Sequence, residues 1–258
     1  MNRMKLLVGT SGFSYDEWKG SFYPAELPKK EMLAAYAARL PSVELNNTFY
    51  RMPRASVVDA WLAQVEPFSE FRFVVKASRR ITHFKALKGV EDELAYLLSK
   101  LDRFGDRLGA LLFQLPPTLE RNHDRLAGFL ALLPDDLPAA FEFRHESWLG
   151  DARIERLLRD RNAALVGGDD EDGSSLLSST ADWGYLRFRR DDYADFEVRS
   201  RAAAVLAQDW RRAFVFFKHE EDGAGPPLAR AFLEAADAKP VRKQAPSKRA
   251  ASAARKTG

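Results

Sequence analysis

Polar side chains recur where apolar runs of this chain end: Thr10, Glu44, Asn46, Lys76, Gln114, Glu142, Arg144, Arg187 and Lys218. The densest stretch is FEFRHESW, Phe141–Trp148, which carries two acids, a guanidinium, an imidazole, a hydroxyl and an indole. Several chemistries suit these residue types. Glu44 and Glu142 can divide acid and base roles if their surroundings split their pKa values, as in glycoside hydrolysis. Nearby Lys76 and Arg144 oppose this, because cations keep carboxyls ionised. Lys76 is also open to a Schiff-base role if it is desolvated beside Arg144. Lys76, Arg144, Arg187 and Lys218 together can hold a phosphate or carboxylate. Internal salt bridges would explain the same composition without a reaction.

Rings accompany these groups. Tyr15 and Trp18 follow the first apolar run and Trp148 follows Glu142 and Arg144, so each is a candidate wall or stacking surface. Phe22 and Phe49 fit better as packing under a rim. The chain has four histidines, His83, His123, His145 and His219. His145, Glu142, Asp169 and His219 could cluster, but no HExxH or comparable spacing supports a metal site. Magnesium needs only one or two carboxylates, so the residues leave metal dependence open and name no cofactor. His145 is as well suited to anchoring its loop as to touching a ligand.

These side chains need elements that bring them together. Strand-like runs are expected at Lys5–Gly12, Ser42–Tyr50, Arg72–Ser78, Leu108–Leu115, Ala139–Arg144, Ala163–Gly167, Trp183–Arg189 and Ala213–Lys218. Helical patterns alternate with them at Lys30–Leu40, Ser56–Val65, Val90–Phe104, His123–Leu133, Ala152–Arg161, Ser200–Arg211 and Pro226–Ala236. Strands alternating with helices predict parallel βαβ units. Eight strands and no second core predict an α/β fold, a single-domain (β/α)8 TIM barrel over residues 1–237. Alternate strand residues face opposite sides. The apolar set then faces the helices, and the polar set converges on the C-terminal mouth with Asp169, just past the sixth strand. Active sites of such barrels lie at that end.

Of the 258 residues, 46% are apolar, enough for a full core, and no apolar run reaches the length of a membrane-spanning helix. The first residues run directly into a strand pattern, so no signal peptide is expected. The chain has no cysteine, which excludes disulfides and thiolate chemistry and suits a cytoplasmic protein. Its net charge is +3, yet the stretch 238–258 holds seven basic residues and no acid. Without those seven, 33 basic residues face 37 acidic ones, so the body is mildly acidic. The stretch 238–258 is expected to be a disordered basic tail, either a solubilising extension or a non-specific phosphate binder.

Five ordered motifs carry a resemblance. GTSGFSYDEWKGSFYP (Gly9–Pro24), VELNNTFYRMP (Val43–Pro53), FVVKASRRITH (Phe73–His83), LGALLFQLPP (Leu108–Pro117) and FEFRHESW together resemble the YecE-like family, known as domain of unknown function 72. The resemblance implies a TIM barrel and supplies no reaction. Lys218 and His219 stand where that family's pattern reads two asparagines. The expected function is an enzyme binding an anionic, phosphorylated or sugar-like small molecule through a Glu/Lys/Arg mouth, with Glu142, Glu44 and Lys76 as catalytic candidates. A nucleic-acid binding or processing protein, distantly like endonuclease-IV-type barrels, is the alternative. A non-catalytic ligand-binding protein is a third.

Overall fold

β-branched and aromatic runs favour extended chain, and among the described residues they form nine parallel strands: β1 Lys5–Ser11, β2 Ser42–Leu45, β3 Arg72–Lys76, β4 Leu108–Gln114, β5 Ala139–Glu142, β6 Ala164–Leu165, β7 Gly167–Asp169, β8 Trp183–Phe188 and β9 Arg212–Phe217. The computed structural model describes residues 4–169, 177–190, 192–218 and 223–237. The helices are α1 Met32–Ala37, α2 Ala55–Val65, α3 Glu91–Leu101, α4 His123–Leu130, α5 Ala152–Asp160, α6 Asp195–Leu206 and α7 Gly225–Asp237. The expected basic tail and His219 lie outside the described residues.

The strand order β6-β5-β4-β3-β2-β1-β9-β8-β7 makes a nearly closed barrel, because β6 and β7 are two halves of the expected sixth strand. β6 pairs with β5 and β7 pairs with β8. Between them the Val166 N–H donates to the Phe141 carbonyl at 2.9 Å. Thr180, buried, plugs the seam: its hydroxyl accepts from the Leu165 N–H at 2.8 Å and donates to the Ala163 carbonyl at 2.7 Å.

Gly168 sits in this seam with φ +130°, and a Cβ there would lie 2.0 Å from the Arg187 carbonyl oxygen. Only glycine fits both constraints. Gly168→Ala is expected to destabilise the fold by about 1–3 kcal/mol, because backbone rather than a flexible tip must move. A urea titration checks this, and a loss within about 0.5 kcal/mol, the range of an ordinary surface substitution, would contradict it.

Strand parity sorts the core into two layers. Inside the barrel, Leu7, Val74, Ala110, Leu112, Ala140, Ala164, Trp183, Tyr185, Phe214 and Phe216 pack together. Outside it, Val8, Val43, Phe73, Val75, Leu111, Phe113, Phe141 and Val215 pack against the helices. Most expected spans end a residue or more from where they were expected, and four are instructive. The second strand stops at Leu45, because the Thr48 hydroxyl reaches the carbonyls of Leu45 (2.7 Å) and Lys76 (2.8 Å) and folds residues 47–49 into a turn. The expected sixth strand is split at Val166. Helix α6 starts at Asp195 rather than Ser200, since the Glu197 carboxylate accepts from the Ala194 N–H at 3.0 Å. Helix α2 starts at Ala55, one residue before the expected Ser56.

Candidate functional site

Above the apolar interior the barrel ends in a polar layer. Glu44 on β2 has 0% of its surface exposed, and Glu142 and Arg187, on β5 and β8, have 8% each. Arg187 joins the two acids: its Nη2 donates to Glu44 Oε1 at 2.7 Å and its Nη1 to Glu142 Oε2 at 2.6 Å. Glu44 also accepts from Ser11 (2.9 Å), Asn46 (3.1 Å) and Tyr185 (2.5 Å). Three of these four donors converge on Oε1, and Tyr185 alone reaches Oε2. Glu142 additionally meets Arg189 Nη2 at 3.0 Å and Arg144 Nε at 2.5 Å. The Arg144 contact is an ion pair whose angle is too poor for a hydrogen bond, since that Nε–H has no acceptor among the described residues.

Burial alone would raise both carboxyl pKa values, but the cations outweigh it. Arg187, the Tyr185 and Ser11 hydrogen bonds and Lys76 hold Glu44 below the usual carboxyl range. Arg187, Arg189 and Lys76 do the same for Glu142. Both acids are therefore ionised near neutral pH, and neither supplies the protonated half of an acid–base pair.

Lys76, the last residue of β3, differs from its neighbours. Its Nζ donates to Gln114 Oε1 at 2.8 Å and lies 4.4 Å from the centre of the Phe49 ring. Gln114 Oε1 is shared with Arg187 Nη1 at 3.3 Å. Among the described residues Lys76 forms no ion pair, whereas Arg144, Arg187 and Arg189 all meet a carboxylate. Burial first, and Arg187 second, push the Lys76 ammonium down to about 8.

Of the residues expected at the mouth, Glu44, Lys76, Gln114, Glu142, Arg144, Arg187 and Asn46 join this network. Asn46 Oδ1 is buried without a hydrogen-bond partner among the described residues. Tyr15 stands at the edge, its hydroxyl donating to the Ser11 carbonyl at 2.9 Å and pushed up to about 12 by burial and then Glu44. Lys218 follows β9, and its N–H donates to the Phe188 carbonyl at 2.8 Å.

Other expectations need correction. Thr10 points outward: its backbone N–H donates to Tyr36 Oη at 2.8 Å, and its hydroxyl lies 2.9 Å from that oxygen. It shares parity with the outer Val8, and Ser11 takes the inward place. Trp18 is buried against Tyr15, Phe22, Tyr23 and Tyr36, so it offers no open face. Trp148 stacks on Phe143 at 4.5 Å and donates to the Leu119 carbonyl at 2.6 Å, which pins the loop. His145 Nδ1 accepts from the Ser147 N–H at 3.2 Å, an N-cap contact. Asp169 does line a pocket with Glu142, Arg144 and Arg189, but its carboxylate is paired with Arg201 Nη2 (2.5 Å) and accepts from Tyr193 (2.6 Å), so it does not offset the mouth cations. Ser11, Tyr185 and Arg189 were missed, although parity with Arg187 marks both Tyr185 and Arg189. Among the described residues no group of three or more His, Cys, Asp or Glu side chains is placed to hold a metal ion. None of the described helices is long and apolar enough to cross a membrane.

Known proteins resemble this barrel. The model of a family described as "Protein of unknown function DUF72" matches residues 7–252. The UPF0759 protein YecE of Escherichia coli strain K12 is 32% identical over 127 residues, 49% of this chain and 46% of YecE. That match thus spans about half the length of the curated relative. The UPF0759 protein YunF of Bacillus subtilis strain 168 is 23% identical over 90% of this chain and 95% of YunF. A solved DUF72 family protein from Thermotoga maritima MSB8 superposes with a TM-score of 0.75 at 25% identity, covering 89% of this chain and 98% of that one. Another, from Enterococcus faecalis V583, gives 0.74 at 20% identity over 91% and 96%, a likeness of fold alone.

Proposed function

The chain belongs to the DUF72 family of proteins of unknown function, and we propose that it is an enzyme whose barrel mouth binds an anionic small molecule, phosphorylated or sugar-like. One observation carries this reading: positive charge exceeds negative charge in a largely buried layer. Lys76, Arg144, Arg187 and Arg189 share only Glu44 and Glu142, and the Nε–H groups of Arg144 and Arg187 have no acceptor among the described residues. Buried unpaired donors and uncompensated charge are costly, and a bound anion would relieve both. A pocket of about 100 Å³ opens beside Glu142, Arg144, Arg189 and Gly167–Asp169. Whole drug-sized ligands occupy roughly 300–1,000 Å³. The pocket therefore suits the anionic head of a ligand, with its remainder above the mouth.

Thermal melts with inorganic phosphate, phosphomonoesters and citrate test the reading. Ligand at 100 times its Kd adds about 2.7 kcal/mol, a rise of roughly 5–10 °C for a chain of this size. Arg144→Ala and Arg189→Ala should each weaken the shift at least tenfold in apparent Kd. Equal shifts in wild type and both variants would place the anion elsewhere.

The nucleic-acid reading retains one observation. Tyr50 and Phe84 are exposed, and the Arg79 guanidinium lies 5.3 and 5.2 Å from their ring centres. Such a group can stack on unpaired bases. Anisotropy titration with single-stranded DNA and RNA decides: binding that survives deletion of residues 238–258 and falls in Tyr50→Ala would favour it.

A further inference from the structure

We propose that Lys76 is an imine-forming lysine, and that the anion held at the mouth carries an aldehyde or ketone which Lys76 Nζ attacks. The inference rests on the anion-site reading and names the substrate class.

Four features single out this amine. It ends a central strand at the mouth, where barrel enzymes place reacting groups. Its strand end is fixed by the Thr48 hydroxyl on the Lys76 carbonyl at 2.8 Å and by the Ala77 N–H on the Leu112 carbonyl at 2.8 Å. Its nitrogen has one hydrogen-bond acceptor, Gln114 Oε1, and no carboxylate among the described residues. A neutral amine can keep that bond and still offer its lone pair to an electrophile. Arg144 and Arg189 flank the same Glu142, so a second part of the ligand has a place to bind.

The electrostatics agree. The Phe49 ring and the charges of Glu44 and Glu142 favour the ammonium. Burial and the adjacent Arg187 outweigh these and bring the group to about 8. At pH 7.5 roughly a quarter of Lys76 is then neutral, against about one in a thousand for an ordinary lysine. Desolvation beside another cation is a recognised way to activate a lysine.

The step balances without a co-reactant. The Nζ lone pair forms a bond to the carbonyl carbon, and the C=O π pair moves to oxygen, which takes a proton from nitrogen. The hydroxyl then leaves as water with the remaining N–H proton, giving the imine. The protein's arginines hold the anion and orient the carbonyl.

Pyridoxal 5′-phosphate, an aldehyde bearing a phosphate monoester, is the probe. The full chain is mixed with one equivalent at pH 7.5, reduced with borohydride, digested and mapped by mass spectrometry. Lys76 should carry at least ten times the label of any other lysine, and excess inorganic phosphate should suppress it. Its labelling rate should rise with a midpoint near pH 8. Arg144→Ala should reduce labelling while the melt confirms folding. Label spread over surface lysines with none preferred at Lys76 would overturn the inference. If phosphate still stabilises the wild type but not Arg144→Ala, only the imine falls. If phosphate also leaves the wild-type melt unchanged, the anion site falls with it.

Discussion

Arg187→Met is expected to cost about 3–5 kcal/mol of unfolding free energy, the usual effect of removing one partner of a buried ion pair. Methionine replaces only the aliphatic stem and leaves the charges of Glu44 and Glu142 without their shared cation. Glu44 is the more exposed to this loss, because Arg187 is its only ion-pair partner among the described residues. Glu142 retains Arg189 and Arg144. Urea denaturation measures the loss. Adding Glu44→Gln to Arg187→Met should recover part of it, since the coupled groups are no longer mismatched. A cost below about 1 kcal/mol, the range of exposed pairs, would mean that the three side chains are solvated.

Acid should unfold the wild type through the same carboxylates. Both are held below the usual carboxyl range in the fold. Their contribution is complete above the unfolded value of about 4.3 and is lost as pH falls through the lower folded values. Glu44→Gln removes one titration and leaves Arg187 with one fewer carboxylate. At pH 7 the variant should be about 3 kcal/mol less stable, and its stability should fall more gently below pH 4.3. The two curves should converge in acid. Parallel curves would show that Glu44 does not titrate with unfolding.

The architecture was legible because period and parity act over whole strands. Phe141 and Phe143 against Glu142 and Arg144 read correctly, because a one-residue slip would bury the charges among helices. The sixth strand was less legible. Its break at Val166 depends on Thr180, a residue distant in sequence, filling the seam. Thr10 was misplaced because the end of a strand offers two adjacent polar residues, and only pairing with β2 shows that Ser11 faces Glu44. Trp18 and Trp148 have residue types that suit stacking on ligands, yet tertiary packing uses both faces. Asp169 was assigned to the mouth by position, and no local signal pointed to Arg201, which arrives from α6. The charge surplus, in contrast, was visible from parity. Losing Asp169 from the balance and gaining Arg189 enlarges it.

A crystal structure grown with inorganic phosphate tests the central claim most directly. The account predicts a phosphate at the mouth within hydrogen-bond reach of Arg144 and Arg189. A mouth left empty, with phosphate bound only at other basic surfaces, would contradict it.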